Sequence, residues 1–285
     1  MISNVASLKD KSRNIAKESN ITIQEVMQNY MFERILERIS ISKYKDNFIL
    51  KGGLLLSSIM GIDTRTTMDM DTSIKGLNLK LNEIKGVLED IFAIDINDNV
   101  MFEIAGTEDI RKEDFYGGYR FKIIGYFENL KIPLAIDIST GDIITPRALI
   151  YKYKLLFEDR KINLMAYNNE TIIAEKFQTI VDRGIGNSRM KDYYDIYYFL
   201  NHKWKEIDKS LLRKAIYNTF KNRDSLDKLE ELSKTVSEIS DNAFLNILWD
   251  RYRSMHIYAK GIEFKNIILL IKMMIEQLEL IPQAV

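Results

Sequence analysis

The segment TMDMDTSI carries two aspartates one residue apart, Asp69 and Asp71, and upstream of it NFILKGG ends in the pair Gly52-Gly53. On a β-strand, residues i and i+2 share a face and lie roughly 6.5–7 Å apart at the backbone. Asp69 and Asp71 are therefore expected on one face, with Met68 and Met70 on the other as candidate core residues. Two carboxylates on one face repel unless a positive charge neutralises them. A divalent cation such as Mg²⁺, which takes one or two carboxylates along with phosphate oxygens, is a common solution. A third candidate is Asp137 in KIPLAIDI. There Ile132, Leu134, Ile136 and Ile138 share the buried face, and Asp137 falls opposite with Ala135. If the two strands are neighbours, three carboxylates converge into a cluster suited to metal-assisted phosphoryl or nucleotidyl transfer.

A bare Asp-x-Asp is more often a solvated strand face. The glycine pair shifts that balance. In the turn between a buried strand and a helix it lets backbone amides approach phosphate oxygens, at a helix end whose dipole favours anions. Phosphate-binding turn first and metal-binding aspartates second is an order with a mechanism.

The elements that must position these residues follow from hydrophobic period. ITIQEVMQNYMFERILERIS reads as a helix with Thr22 and Glu25 at capping-box spacing. NFIL reads as a buried strand, LLLSSIMG as a short buried helix, TMDMDTSI as a strand and residues 80–92 as a helix. FEIAG, YRFKIIGYF and KIPLAIDI alternate as strands, with Glu128-Asn129 as a hairpin turn. After Pro146 strand signals fade and amphipathic helical patterns run to the end. The expected fold is mixed α/β (α+β): a domain over 1–150 with N-terminal helices and a mixed sheet, then an all-helical domain over 151–285 closing a cleft. The boundary is soft, between 146 and 170.

These residues resemble a known family. A Gly-Gly or Gly-Ser turn, then Asp-x-Asp, then a strand aspartate is similar to the nucleotidyltransferase superfamily typified by DNA polymerase beta. LKGGLLLSSIMGIDTRTTMDMD more specifically resembles the AbiEii/AbiGii abortive-infection toxin family. The likeness extends to QNYMFERILERISIS, IDISTGDIITP and AYNNETIIAEKFQTIVDRGIGNSRMKDYYDIYYF, over roughly residues 25–200. It implies a nucleotidyltransferase-fold domain followed by a helical one. It also implies use of an NTP with Mg²⁺, and a toxin role in phage defence beside a separately encoded antitoxin. Transfer of a nucleotide to the 3′ end of tRNA, blocking translation, is the activity it favours. Carried over by position, the phosphate turn is Gly52-Gly53 preceded by Lys51. The metal ligands are Asp69, Asp71 and Asp137, with Arg65 and Thr67 leading to the pair. The lysine motif falls on Lys176, and the last motif on Arg189, Lys191, Asp192 and Asp195. Gly53 departs from the serine common in the wider superfamily, which removes a hydroxyl contact to phosphate but not the amides.

The C-terminal motifs can be weighed on their own residues. Lys176 lies inside the arc set by Ile172, Ile173, Phe177, Ile180 and Val181, whereas Glu175, Gln178, Thr179 and Asp182 occupy the other side. A lysine there either snorkels from the edge of the stripe or serves a site, and the family likeness assigns it to the triphosphate. Asp192 and Asp195, at i and i+3, share a face of a largely apolar helix. They need cationic partners from Lys176, Arg183, Arg189 or Lys191. A structural ion-pair network and an active-site role both fit, and the sequence does not choose between the two aspartates. Arg183-Gly184-Ile185-Gly186 reads as a helix stop. RKAIYNTFKNR and DRYRSMHIYAKG interleave basic and aromatic residues, which suits a single-stranded nucleic acid or simply the solvated faces of amphipathic helices. His202 and His256 are isolated and lack metal-ligand spacing.

Bulk properties bound the partners. Forty-one Lys and Arg balance forty-one Asp and Glu, so any nucleic-acid site is a local patch. No cysteine is present, which excludes thiolate chemistry and suits a reducing compartment. No secretory leader or membrane-length apolar run is legible, and the expected location is the cytoplasm. Two rivals remain. One is a nucleotidyltransferase acting on a protein or small molecule. The other is a non-catalytic nucleotide-binding interaction module, against which the full set of carboxylates counts.

Overall fold

The computed structural model describes residues 2–77, 80–110 and 117–280. Met1 and 281–285, at the outer ends of the two expected domains, lie outside the described residues. The chain divides into two compact units, Met1–Asp142 with Ala148–Tyr167, and Ile143–Arg147 with Asn168–Val285. No described helix is long and apolar enough to cross a membrane.

The first unit opens with α1 (Val5–Ser19) and α2 (Ile23–Ile41). The capping box forms as expected: Thr22 Oγ1 accepts from the Glu25 amide at 3.1 Å, and the Glu25 carboxylate accepts from the Thr22 amide at 2.8 Å. Beyond its first turn α2 is buried on all sides from Gln28 to Ile39, so its charges must find partners in the interior. Arg38 makes two 2.8 Å bonds to the Asp98 carboxylate. Arg34 lies 2.9 Å from Glu37 and 3.4 Å from Glu158, and Arg160 clamps Glu37 through bonds of 2.6 and 2.7 Å. Glu33 accepts a bond from the Leu156 amide at 2.8 Å, and burial pushes its carboxyl up to about 8.

The remaining elements are β1 (Phe48–Lys51), α3 (Gly52–Met60), β2 (Asp69–Ile74), α4 (Leu81–Phe92), β3 (Val100–Ile110), β4 (Gly118–Phe127), β5 (Leu130–Ser139), β6 (Leu149–Lys154) and β7 (Lys161–Ala166). Among the described residues they form one seven-stranded sheet in the order β3-β4-β5-β2-β1-β7-β6. It is mixed, because β2 runs parallel to β5 and β1 parallel to β7 while the other pairs are antiparallel. The β4–β5 hairpin turns at Glu128-Asn129, with Glu128 at φ 50°, and pairs Phe127 with Leu130. On β5, Ile132, Leu134, Ile136 and Ile138 are buried, as their alternation requires.

Two expectations need correction. Met70 is fully buried, but Met68 precedes the first strand residue and is 43% exposed, so only one methionine of the pair is core. Strand structure also does not end near 150, because β6 and β7 follow and the first unit runs to Tyr167. The strand β6, LIYKYK, is an edge strand in which Tyr153 alone is buried and lysines break the apolar alternation. That habit protects sheet edges and erases their sequence signal.

The second unit is helical among its described residues: α5 (Asn169–Arg183), α6 (Met190–Tyr198), α7 (Lys209–Asn222), α8 (Asp227–Glu230), α9 (Leu232–Asp241), α10 (Ala243–Met255) and α11 (Phe264–Gln277). Asn168 caps α5 by accepting from the Thr171 amide at 2.7 Å.

Candidate active site

Strand register builds the first half of the site. Asp71 on β2 lies directly beside Asp137 on parallel β5, and Asp69 lies beside Ala135. Because paired residues share a face of the sheet, the three carboxylates stand on one surface, as the two strand patterns imply. The row continues outward on both sides. Arg120 on β4 is opposite Asp137, and Lys51 on β1 is opposite Asp71. Read across four strands, the row is Arg120, Asp137, Asp71, Lys51, with its two negative charges enclosed by two positive ones.

Arg120 meets two of the carboxylates directly. Its Nε donates to Asp137 Oδ1 at 2.7 Å, and its Nη2 donates to Asp137 Oδ2 at 2.8 Å and to Asp69 Oδ2 at 3.4 Å. The hydrogen bonds to Asp137 hold the guanidinium even more firmly protonated than usual. Among the described residues no group of three His, Asp or Glu side chains is gathered tightly enough to hold a metal ion. The donor chemistry nonetheless fits one, since three carboxylates on two adjacent strands are a hard oxygen set of the kind Mg²⁺ takes.

Gly52 and Gly53 open α3 directly at the end of β1. Gly52 has φ 64°, and a Cβ there would fall onto the carboxylate of Asp71. The glycine is what leaves room for that side chain. The Gly53 amide donates to Asp71 Oδ2 at 3.3 Å, so one of the two expected phosphate-facing amides is turned to the aspartate. A Cβ on Gly53 would come within 2.5 Å of Thr67 Oγ1. Thr67 itself braces the start of β2, donating to the Asp69 carbonyl at 3.1 Å and accepting from the Asp69 amide at 3.4 Å. Arg65 is buried and bonds the Thr66 carbonyl. Lys51 is buried too, with its ammonium paired to Asp142 and 5.7 Å from the centre of the Tyr167 ring. Asp142 also accepts from Ser139 Oγ at 2.8 Å, which ties the end of β5 to β1. These residues shape the carboxylate bed and the turn beside it.

The second unit gathers its own motif residues. Lys176 on α5 is 16% exposed, and its Nζ lies 2.5 Å from Asp192 Oδ1 and 3.0 Å from Asp195 Oδ2 on α6. Both aspartates are buried, and Asp192 Oδ2 also accepts from Arg189 Nε at 2.9 Å. Lys176 is thus a shared counter-ion to both aspartates, and Asp192 is bridged by two cations. Gln178, expected on the outer face of α5, is instead buried, because it donates to Ser225 Oγ at 3.1 Å and accepts from Arg223 at 2.7 Å. The two basic-aromatic stretches fall on α7 and on α10 with the turn after it. Arg251, Tyr252, Arg189 and Lys191 line a cavity of about 370 Å³ within this unit. His256 stacks on Tyr258 at 5.1 Å, a packing role.

Sequence reasoning missed Arg120, yet the signal was present. A two-residue turn at Glu128-Asn129 fixes the hairpin register, and counting outward from it sets Arg120 against Asp137. Asp142 was missed for a different reason, as it lies past the strand in a segment without period.

A family model described as nucleotidyl transferase AbiEii toxin, type IV toxin–antitoxin system, matches residues 34–267. The chain belongs to this AbiEii family. No curated protein matches it in sequence. Among solved structures it is similar to MenT4, a nucleotidyltransferase toxin from Mycobacterium tuberculosis H37Rv, at 12% identity and a TM-score of 0.55, over 94% of this chain and 96% of that one. It is also similar to JHP933 from Helicobacter pylori, at 13% identity and a TM-score of 0.51, over 90% and 92% of the two chains. At such identity the likeness is one of fold, and it agrees with the mixed sheet and helical second unit of this AbiEii chain. Asp69, Asp71 and Asp137 lie within the stretch that the family model matches.

Proposed function

We propose that this AbiEii-family toxin transfers the nucleotidyl group of an NTP to the 3′ end of tRNA in a Mg²⁺-dependent reaction, and that a separately encoded antitoxin restrains it. The observation that carries the chemistry is the register of Asp71 against Asp137, with Asp69 on the same face. Asp69, Asp71 and Asp137 would hold the cation, which when bound supplies charge neutralisation at the α-phosphate and the leaving pyrophosphate. A bond forms between the acceptor oxygen and the α-phosphorus while the bond to the β-phosphate oxygen breaks. Asp137, between Arg120 and Asp71, takes the proton of the attacking hydroxyl. Gly52 keeps space over Asp71, and Thr67 fixes the direction from which Asp69 enters. In the second unit, Lys176 is the candidate for neutralising the triphosphate, with Asp192 and Asp195 setting its position. The tRNA acceptor rests on the family likeness and on the basic-aromatic composition of α7 and α10.

The test is incubation of the pure chain with each labelled NTP, Mg²⁺ and total RNA. Label in the tRNA band is expected. Label in protein alone would move the acceptor to a side chain, and binding without transfer to any acceptor would overturn the enzymatic reading.

A further inference from the structure

Arg120 occupies the carboxylates that the proposed reaction requires. Both Asp137 oxygens are taken by the guanidinium fork, at 2.7 and 2.8 Å, and Asp69 is reached by the same group at 3.4 Å. A divalent cation on these oxygens and a guanidinium among them compete, since like charges a few ångströms apart repel and each Asp137 oxygen already accepts one bond from the fork. The contact is built into the fold, because Arg120 stands opposite Asp137 in the β4–β5 register and needs no distortion to reach it. The contact also lies at the surface. The Arg120 side chain is 35% exposed, and the other carboxylate across from it, Glu108 on β3, is already paired with Lys122.

We propose that Arg120 is a built-in counter-cation that holds Asp137 and Asp69 in place without metal and is displaced when metal and nucleotide arrive together. Released from Asp137, its planar fork is suited to the phosphate oxygens of the incoming triphosphate. An anion therefore helps to remove the residue that blocks the cation. Metal and nucleotide are thereby coupled: each binds more tightly in the presence of the other, and free metal alone loads the site poorly. In this scheme Arg120 positions Asp137 and Asp69 before metal arrives and meets the triphosphate afterwards. The inference rests on the proposed use of a divalent cation by Asp69, Asp71 and Asp137.

The experiment is a Mn²⁺ titration of the full chain, read as loss of the free-ion paramagnetic resonance signal, with and without non-hydrolysable α,β-methylene NTP analogues, each nucleotide series measured against the same nucleotide and Mn²⁺ without protein. In the wild-type chain the nucleotide is expected to tighten Mn²⁺ by about tenfold or more, within the usual range for coupled ligands. Arg120→Gln is expected to bind Mn²⁺ alone about tenfold more tightly than wild type and to lose most of the nucleotide dependence. Arg120→Lys keeps the charge without the fork and should fall between the two, which serves as the readout if the glutamine variant folds poorly. Equal or weaker Mn²⁺ binding by the variants without nucleotide would overturn this inference and leave the metal reading standing. Absence of Mn²⁺ binding from every protein, with or without nucleotide, would overturn both.

Discussion

At the scale of single residues, the assignments differ in what their loss should do. Asp69→Ala and Asp71→Ala remove proposed metal ligands on an accessible face of the sheet, so each is expected to lower nucleotidyl transfer at least about a hundredfold while leaving far-UV circular dichroism unchanged. Near wild-type transfer by either variant would sink the site. Gly52→Ala acts through shape. It forces a side chain into φ 64° and onto the Asp71 carboxylate, and should cost about 1–2 kcal/mol of stability from the backbone alone, measured by urea denaturation, as well as activity. Lys176→Met leaves Asp192 and Asp195 buried without their shared ammonium. A destabilisation of about 3–5 kcal/mol is expected, and one below about 1 kcal/mol would show that the cluster contributes little to holding α5 and α6 together.

At the scale of elements, α2 shows what sequence does and does not reveal. Its start was legible because a capping box is a local pattern, with Thr22 and Glu25 three residues apart. Its burial was not, because the partners that make Arg34, Glu37 and Arg38 tolerable inside are Asp98, Glu158 and Arg160, far along the chain. Its pH response follows from Glu33. With a folded value near 8 against an ordinary 4.5, Glu33 keeps its proton in the folded state while the unfolded chain loses it. That contribution is complete below about 4.5 and is lost as pH rises through 8, with a slope of up to about 1.4 kcal/mol per pH unit. Chemical denaturation at several pH values should show stability falling across this window, and Glu33→Gln should flatten the fall. The hairpin is the converse case: its turn could be read, and with it the contact between Arg120 and Asp137, had the register been counted.

At the scale of the molecule, the first unit runs to Tyr167, inside the soft 146–170 boundary but past position 150, because two further strands join the sheet. Strand β7 pairs in parallel with β1, the strand that leads into Gly52-Gly53, and β6 pairs with β7. A fragment of residues 1–150 therefore strips β1, buried along its length, of a neighbour and leaves its edge open. A fragment ending at Tyr167 keeps the sheet whole. The longer fragment is expected to melt cooperatively and the shorter to aggregate, as read by circular dichroism and light scattering. Cooperative melting of both would show that β6 and β7 are dispensable. The mixed sheet and helical second unit were accessible from alternation and helical period, which are local. Edge strands and interior charges were not, because only the finished fold decides which residues they face.

The alternating row across β4, β5, β2 and β1 also constrains how such a sheet can change over generations. A lineage that loses Arg120 leaves Asp137 facing Asp71 with no cation at its flank, and one that loses Asp137 leaves a guanidinium without its acceptor. Because the proposed chemistry also needs Asp137, the freedom lies with its neighbour: among homologous chains that keep an aspartate at position 137, position 120 should keep a cation.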